Sequence, residues 1–383
     1  VILVILVILV ILVILVILVI LVIFEVFMSI KAQPNDVLSN MLRSLFDLLD
    51  IDSKGSISRI DLIHELEQAG LLKDDVRLSE FYKTIKSLYD RKHLDFSDFE
   101  SLFKNIPEES FSVILKALTG DLVIPGFANF CQEIIVFYND LINIKSGKIA
   151  DYIPQLSKVD PDAFAMSICT VDGQQFNYGD AHLTFSAQST CKPINYCMAL
   201  QDFGEDKVHE YIGREPSGHG FNELALNSND RPHNPMINAG AIMACSLIAE
   251  KASSAARFES VLDCWKDLSG GKRVGFDNSV YLSERETSDR NYALAYFMKE
   301  KGAFPDGVNI KDVLNFYFQC CSIEIDVNIQ ARVSATLANG GVSPFTGKKV
   351  FSPDVTKDCL SLMFSCGMYD YSGEFAFTVG LPG

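Results

Sequence analysis

The chain has 383 residues and a formal net charge of −16, with 49 acidic side chains against 33 basic ones. This length predicts two or three domains with a sizeable buried core. The acidic excess makes nucleic acid and anionic membrane surfaces poor partners, since both repel a negatively charged protein. The ten cysteines are scattered without a Cys-x-x-Cys pair. That spacing argues against a zinc site or a disulfide scaffold and favours reduced thiols in an intracellular compartment.

Residues 1–23 repeat Val-Ile-Leu without interruption. A run of this length could span a bilayer. However, it has no basic flank, cleavage site or aromatic anchor, and a three-residue apolar repeat matches neither helix nor strand periodicity. We interpret it as an artificial segment outside the fold, with a membrane anchor as the alternative. We also expect the chain to lack an organelle-targeting leader, because no Arg- and Ser-rich stretch is present.

Residues 24–145 form the first predicted domain, a small all-α module. The spacing of apolar residues predicts helices over 37–49 and 59–69. The loop between them resembles an EF-hand calcium loop, because Asp50 and Asp52 stand at its first and third positions.

Two residues of this loop depart from the EF-hand pattern. Gly55 stands at position six, as the sharp turn requires, but Lys54 puts a cation at position five, where a ligand belongs. Asp61, at position twelve, is shorter than the usual bidentate Glu. A fainter second motif follows at 94–99. We therefore predict a structural pair of helix-loop-helix units and no bound metal.

Residues 146–383 form the second predicted domain. Strands are predicted over 163–171 and 175–178, joined by a tight turn, and a last strand over 375–379. Four helices are predicted between them, over residues 238–251, 292–301, 309–321 and 327–339. This order predicts an α+β domain in which helices pack on an antiparallel sheet built from both chain ends.

The stretch 185–200 of this domain contains a Ser-x-x-Lys pair, Ser189 and Lys192, at the start of a predicted helix. Residues three apart lie on one helix face, one turn from each other. A serine hydroxyl there can lose its proton to a neighbouring amine and attack a carbonyl beside the unpaired N–H groups of the helix start. The alternative is a capping serine followed by a solvated lysine.

Two further features follow this helix in the sequence. The long polar stretch 217–235 predicts a loop, and a loop of that length is often functional, for example as a gate. Asn238 follows it, and we predict that its side chain caps the start of the next helix.

Several motifs follow one another in the second domain: Ala150-Asp151-Tyr152-Ile153-Pro154-Gln155-Leu156, Gln188-Ser189 with Lys192-Pro193, residues 232–242, Ser283-Glu284-Arg285-Glu286, Asp289-Arg290-Asn291 and Ser365-Cys366-Gly367-Met368-Tyr369-Asp370. In this order they resemble the serine-dependent glutaminases, from about Gly147 onward. The resemblance implies a β-lactamase- and penicillin-binding-protein-like catalytic domain and the hydrolysis of L-glutamine to L-glutamate and ammonia. The helical module in front resembles that of the animal kidney- and liver-type members.

The resemblance also implies roles for individual residues. The catalytic residues would be Ser189 as nucleophile, Lys192 as general base, Tyr369 as proton relay and Tyr317 as helper of the attacking water. The substrate-binding residues would be Tyr152, Gln188, Asn238, Glu284, Asn291, Tyr317 and Tyr369, with Glu284 on the α-ammonium group. From the residues alone, the two asparagines could be helix caps, the tyrosines core aromatics and Glu284 half of a surface pair with Arg285.

Further properties follow from the resemblance as expectations. They are a homo-tetramer, no cofactor, phosphate as activator, a gating loop over 217–229 and a mitochondrial location. In the family a Lys-Ser-Gly-like segment follows the Gly-Leu-Pro found here at 380–382. It brings a core strand, a pocket edge and a second oxyanion donor, so the resemblance implies that the C-terminal part of the catalytic domain is missing from this chain.

Two other functions stay open on the sequence. One is a Ser-Lys acyl-transfer hydrolase of another kind, either β-lactamase-like or another amidase, because the Ser-x-x-Lys helix supports all of these. The other is a non-catalytic EF-hand-like scaffold. Turnover of glutamine but not of a β-lactam would distinguish a glutaminase from the first alternative, and calcium titration would test the second.

Overall fold

The computed structural model describes residues 34–249 and 252–381. They divide into two units, residues 34–69 with 73–121, and residues 70–72 with the described residues from 122 onward. The Val-Ile-Leu repeat over 1–23 lies outside the described residues. Within the described part, no helix is long and apolar enough to cross a membrane.

The first unit is a bundle of short helices whose two loops pair through short strands. Its elements are α1 (Pro34–Leu49), β1 (Ile57–Ser58), α2 (Arg59–Gln68), α3 (Ser79–Ser87), β2 (His93–Leu94), α4 (Phe96–Phe103) and α5 (Glu108–Thr119). The strands are antiparallel, with Ile57 opposite Leu94. Buried aromatic rings fill the core, with centroids 5.6 Å apart for Phe46 and Phe99 and 5.0 Å apart for Phe99 and Phe103. The predicted pair of helix-loop-helix motifs is confirmed.

The first loop of this unit is held by its own side chains. The two carboxylate oxygens of Asp50 accept hydrogen bonds from the backbone N–H groups of Lys54 and Gly55, at 3.0 and 2.7 Å. The Lys54 ammonium lies 2.6 Å from the Asp52 carboxylate, and both side chains are exposed. Lys54 therefore supplies the positive charge nearest to Asp52 within the described residues.

The second unit contains the remaining elements. They are α6 (Phe127–Leu141), β3 (Ala165–Cys169), β4 (Gln175–Gly179), β5 (Phe185–Ser186), α7 (Cys191–Phe203), α8 (Glu205–His209), α9 (Asn238–Leu247), α10 (Ser254–Leu268), β6 (Gly275–Phe276), α11 (Asn278–Thr287), α12 (Asp289–Glu300), α13 (Ile310–Cys321), β7 (Ile323–Ile325), α14 (Val327–Ala338), α15 (Pro353–Cys366) and α16 (Ser372–Val379). Short 3₁₀ turns cover Leu156–Lys158, Gln188–Thr190 and Tyr369–Tyr371.

Helix α9 lies at the centre of the second unit, and all of its residues are buried. It packs against α7, α12 and α13. Its sequence, Asn-Ala-Gly-Ala-Ile-Met-Ala-Cys-Ser-Leu, is rich in small residues, which allow neighbouring helices to approach closely. The helices that pack against α9 carry three of the predicted site residues, Lys192, Asn291 and Tyr317.

Two small sheets frame this helical core. Strands β3 and β4 form the predicted antiparallel hairpin, in register from Ala165 opposite Gly179 to Cys169 opposite Gln175. The second sheet has the order β5-β7-β6. The Ala187 N–H donates to the Ile323 carbonyl at 2.7 Å. This bond ties the chain just before Ser189 to the residues just after α13.

Helix α6 differs from the predicted domain limits, which placed it before residue 146 in the first domain. In the structure it belongs to the second unit. The Tyr138 hydroxyl donates to the Phe164 carbonyl at 3.2 Å, and the Tyr138 ring packs on Tyr178 of β4 at 4.8 Å. Gly179 has a positive φ of 75°, and a Cβ there would come within 2.6 Å of the Tyr138 ring. This contact explains why α6 stays with the hairpin.

The predicted strand over 375–379 is wrong, because these residues belong to helix α16. The alternation of Phe375 and Phe377 mimicked a strand, yet Phe377 is 86% exposed. The segment packs on α15 and on the 3₁₀ turn Tyr369–Tyr371. Without a neighbouring strand among the described residues, a helix satisfies its backbone hydrogen bonds within the segment. Gly380 ends the helix in a left-handed conformation, with φ 75°.

Candidate active site

Ser189 and Lys192 meet at the junction of the 3₁₀ turn Gln188–Thr190 and helix α7. The Lys192 Nζ donates a hydrogen bond to the Ser189 Oγ at 2.8 Å, and the Tyr369 hydroxyl lies 3.4 Å from the same Nζ. Lys192 is only 1% exposed, so it is not a solvated helix lysine. Among the described residues, no carboxylate forms an ion pair with it. The sequence-predicted trio of Ser189, Lys192 and Tyr369 is therefore assembled.

The backbone is strained at Tyr369 and at the residue that precedes Ser189. Gln188, directly before the nucleophile, has φ 45°, and Tyr369 has φ 55°. Both values lie in the left-handed region, which side-chain-bearing residues rarely adopt. Such strain persists where the surrounding structure fixes the chain, and it is concentrated at functional sites.

An aromatic side chain from the long polar loop covers the lysine. The structure assigns neither helix nor strand between α8 and α9, which confirms the predicted loop over 217–235. Phe221 lies in this loop, with its ring centroid 5.1 Å from that of Tyr369 and 5.8 Å from the Lys192 Nζ. The Phe221 carbonyl accepts a hydrogen bond from the Asn238 N–H at 2.8 Å. The loop therefore contacts Lys192, Tyr369 and the start of α9 together.

A buried carboxylate lies beside Gln188. Glu284 projects from α11 and is 3% exposed, so the alternative of a surface pair with Arg285 is wrong. The Gln188 Nε2 donates to the Cys321 carbonyl at 3.3 Å and reaches the Glu284 carboxylate at 3.5 Å. Burial raises the pKa of Glu284 to about 7, although its hydrogen bond from Gln188 and the nearby Lys192 charge work in the opposite direction. Glu284 is thus an acid that changes charge near neutral pH.

Two tyrosines stand beside this carboxylate. The Tyr152 hydroxyl donates to the Gln188 Oε1 at 3.1 Å, and the side chain is 61% exposed, as expected at the mouth of a pocket. Tyr317 projects from α13 and is 2% exposed. Burial raises the pKa of the Tyr317 hydroxyl well above its ordinary value, so Tyr317 remains a neutral hydrogen-bond donor at physiological pH.

The predicted helix cap at Asn238 is wrong. The side chain of Asn238 makes no capping bond, and Ile237 is the residue that precedes the helix. Instead the Asn238 Nδ2 donates to the Asn291 Oδ1 at 2.9 Å, across the contact between α9 and α12. Asn291 is the third residue of α12 and does not precede that helix either. The two amides form a buried pair that leaves one N–H₂ group and one carbonyl for other partners.

A cavity of about 240 Å³ opens beside the Ser-Lys pair. Its polar lining includes Ser189, Lys192 and Tyr369. The remaining lining residues are Thr190, Pro193, Ile194, Met236, Gln330, Val333, Ser334, Leu337, Met363 and Gly367. The Ser189 hydroxyl is therefore accessible from this cavity, whose lining does not include Glu284, Tyr317, Asn238 or Asn291.

The sequence analysis missed two contributors to the site. Phe221 is the only aromatic residue of Phe, Tyr or Trp type between 217 and 235, which was the available signal. The Cys321 backbone carbonyl, which accepts from Gln188, carries no sequence signal because every residue has a carbonyl.

Comparison with known proteins shows the family to which the chain belongs. Residues 147–383 match the glutaminase family model, and residues 42–125 match an EF-hand domain model. The chain belongs to the glutaminase family. Its β-lactamase-like α+β fold behind an EF-hand-like module, and its resemblance to the animal glutaminases, are confirmed.

Individual relatives of this glutaminase-family chain come from animals and bacteria. Putative glutaminase 2 of Caenorhabditis elegans is 43% identical over 350 residues, covering 88% of this chain and 58% of the relative. The mitochondrial liver isoform of glutaminase from Rattus norvegicus is 40% identical over 348 residues, covering 90% and 58%. A glutaminase of Clostridium botulinum is 42% identical over 242 residues, covering 62% and 78%. The chain thus spans about three fifths of the length of these animal relatives.

Solved structures show the same relationship. The structure titled probable glutaminase ybaS is 33% identical, with a TM-score of 0.62, and the match covers 66% of this chain and 81% of that one. The structure titled Mglu in its tris and glutamate form is 33% identical, with a TM-score of 0.60, and the match covers 66% of this chain and 56% of that one.

Proposed function

We propose that this chain is the catalytic part of a glutaminase, which hydrolyses L-glutamine to L-glutamate and ammonia. The observation that carries the proposal is the buried Lys192 amine 2.8 Å from the Ser189 hydroxyl. Family membership supports glutamine as substrate. An amide is a poor acyl donor, so its hydrolysis needs both an activated nucleophile and a proton for the departing nitrogen.

Acylation begins when neutral Lys192 takes the Ser189 proton. The Ser189 Oγ then bonds to the side-chain amide carbon of glutamine, and the carbonyl oxygen becomes an oxyanion beside the Ser189 backbone N–H. The C–N bond breaks, and the proton held by Lys192 passes to the nitrogen, directly or through the Tyr369 hydroxyl, so that ammonia leaves. The product is a γ-glutamyl ester on Ser189.

Deacylation repeats these steps with water as nucleophile. Water loses a proton to Lys192 while its oxygen bonds to the ester carbon, and Tyr317 helps to orient it. The bond from the carbon to the Ser189 Oγ breaks, and the proton returns to Ser189. Glutamate is released and the enzyme is regenerated.

The charged ends of the substrate match two walls of the site. The Glu284 carboxylate suits the α-ammonium group, because a buried negative charge without an ion-pair partner gains most from a cationic ligand. The Asn238–Asn291 amide pair and the Tyr317 hydroxyl suit the α-carboxylate as neutral donors. Tyr152 and Gln188 would contact the side-chain end and the pocket wall.

The test is ammonia release from L-glutamine by the chain and by its Ser189→Ala variant. We expect the variant to lose activity by about 10⁴-fold or more while remaining folded. Ser260→Ala is the matched control, since the Ser260 hydroxyl only bonds the Arg257 carbonyl within α10, which carries no proposed site residue. Its activity should be unchanged.

Two results would overturn the proposal. A folded chain that releases no ammonia but opens a β-lactam would be a Ser-Lys hydrolase of another kind. A folded chain inactive on both substrates would be a scaffold only if the same chain extended by the Lys-Ser-Gly-like segment is inactive as well. Circular dichroism and thermal melting establish folding in each case.

We further propose a homo-tetramer activated by phosphate, with residues 217–229 closing over the pocket on assembly, and a mitochondrial location. The support is the contact of Phe221 with Tyr369 and the mitochondrial name of the rat relative. The same ammonia assay tests this, run across protein concentrations with and without phosphate. Equal specific activity under all conditions would contradict assembly and phosphate activation.

A further inference from the structure

The segment before helix α9 is organised by one buried side chain. Asn234 is 1% exposed. Its Oδ1 accepts hydrogen bonds from the Met236 and Ile237 N–H groups, at 3.0 and 3.2 Å, and its Nδ2 donates to the Glu215 carbonyl at 3.0 Å. An Asn side chain that accepts hydrogen bonds from the backbone N–H groups two and three residues on holds the chain in a turn, where no helix or strand supplies those bonds. Asn234 therefore connects the polar loop to the last two residues before α9.

The backbone of Asn234 is also locked onto the helix. A Cβ at Gly240 would lie 1.9 Å from the Asn234 carbonyl oxygen and 2.8 Å from the Pro235 Cα. Such distances are far below van der Waals contact, so only glycine fits at position 240 in the first turn of α9. The dipeptide 234–235 thus lies directly against that turn. A shift of one would displace the other.

The residue that this arrangement holds is Asn238. It directly follows Ile237, its N–H is bonded to the Phe221 carbonyl, and its side chain is bonded to Asn291. We propose that Asn234 is a positioning residue, which sets the Asn238–Asn291 amide pair to receive the α-carboxylate of the substrate. This inference rests on the proposed glutaminase function. Asn234 would touch no substrate atom and would act through Asn238.

The same loop provides a matched control for a purely local role. The Asn227 Oδ1 accepts hydrogen bonds from the Asn229 and Arg231 N–H groups, at 2.9 and 3.0 Å. Asn227 thus forms a similar turn with the same residue type, with partners two and four residues on where Asn234 has partners two and three residues on. Its two partners lie in the loop and are not adjacent to any proposed site residue. Removing the Asn234 side chain breaks three hydrogen bonds and removing the Asn227 side chain breaks two, but only Asn234 bonds the N–H group of Ile237, which directly precedes Asn238.

The experiment compares steady-state ammonia release by Asn234→Ala and Asn227→Ala. We expect Asn234→Ala to raise KM for L-glutamine by about 10-fold or more with kcat changed much less, because binding of the α-carboxylate is weakened before and during reaction alike. Asn227 lies in the proposed gating loop 217–229, so Asn227→Ala is not expected to be neutral, but it should raise KM for L-glutamine several-fold less than Asn234→Ala does. The double variant Asn234→Ala/Asn238→Ala should have the KM of Asn238→Ala alone, because residues that act through one another are not additive.

Three outcomes would count against the inference. Equal KM values for Asn234→Ala and Asn227→Ala would overturn it. Additive effects on KM in the double variant would also overturn it, as would a lower kcat with unchanged KM in Asn234→Ala. If Asn234→Ala does not fold, Asn234→Ser serves instead, since its hydroxyl can accept one of the two N–H bonds, and an unchanged KM there would overturn the inference. Inactivity of both the parent chain and the chain extended by the Lys-Ser-Gly-like segment would instead refute the proposed function on which this rests.

Discussion

The two units of this protein each place a lysine against an oxygen at nearly the same distance. In the second unit the Lys192 Nζ lies 2.8 Å from the Ser189 Oγ, and in the first unit the Lys54 Nζ lies 2.6 Å from the Asp52 carboxylate. Their surroundings differ. Lys192 is 1% exposed within the helical core, whereas the Lys54 side chain is 71% exposed.

The contrast shows that burial decides what a lysine contact can do. Water screens the pair of Lys54 and Asp52, so it resembles other surface ion pairs, which contribute little to stability. The hydrogen bond that the Lys54 ammonium donates to the Asp52 carboxylate raises the pKa of Lys54, which keeps it a cation. Lys192 instead faces hydroxyl groups and aromatic rings, with no carboxylate in ion-pair distance among the described residues. A base needs such surroundings, because it must take up and release a proton in each turnover.

The largest predicted effect separates the two lysines directly. Lys192→Met should lower kcat for ammonia release by about 10³-fold or more, because it removes the proposed base and no other amine or imidazole of the described residues hydrogen-bonds the Ser189 hydroxyl. Lys54→Met should leave kcat, KM and the melting temperature unchanged, because its partner is solvated. Both variants remove the same ammonium group, so each controls for the other. Comparable losses in activity would mean that the Lys192 contact is structural.

The next effect concerns Glu284, whose pKa burial raises to about 7. Only the carboxylate form binds an α-ammonium group, so kcat/KM should rise with pH through about 7. Glu284→Gln should lower kcat/KM by about 10²-fold and remove this step from the pH profile. The exposed Glu286→Gln, on the same helix, should retain both the activity and the step. A Glu284→Gln profile that still rises through pH 7 would assign the titration to another group.

The same shift predicts an opposite effect of this substitution on stability. The pKa of Glu284 is raised from an ordinary 4.5 to about 7 on folding, so its stabilising effect is present at acid pH and is lost as the pH rises through 7. At pH 8 the parent chain carries a buried charge, and Glu284→Gln should be more stable by about 2 kcal/mol. At pH 5 the difference should shrink. Denaturant unfolding at the two pH values measures it.

The smallest predicted effect is on the EF-hand-like loop. Lys54→Asp would replace the internal cation by a ligand at position five, next to Asp50 and Asp52. We expect this variant to gain a rise in melting temperature of a few degrees in millimolar calcium, with glutamine hydrolysis unchanged. The parent chain should show no such rise. Calcium stabilisation of the parent chain would mean that Lys54 does not block the site, and would favour the scaffold alternative.

Prediction from sequence succeeded where the relevant contacts are local. Ser189 and Lys192 are three residues apart, so helix geometry alone brings them together. The hairpin of β3 and β4 and the loop of Asp50 and Gly55 likewise depend on residues near in sequence. It failed over 375–379, because alternating aromatic residues suit a strand only when another strand lies beside them.

The sequence by itself determined the Ser-x-x-Lys pair, the family motifs and the paired helix-loop-helix module, because short-range geometry and residue type are enough to specify these features. Only the tertiary structure decided that Glu284 is buried, that Asn238 pairs with Asn291 and that Tyr369 and Phe221 cover Lys192. Asn238 and Asn291 are 53 positions apart in the sequence, and Lys192 and Tyr369 are 177 positions apart. Contacts of such separation depend on how helices pack around α9, and packing also sets the burial that governs the charge of each group.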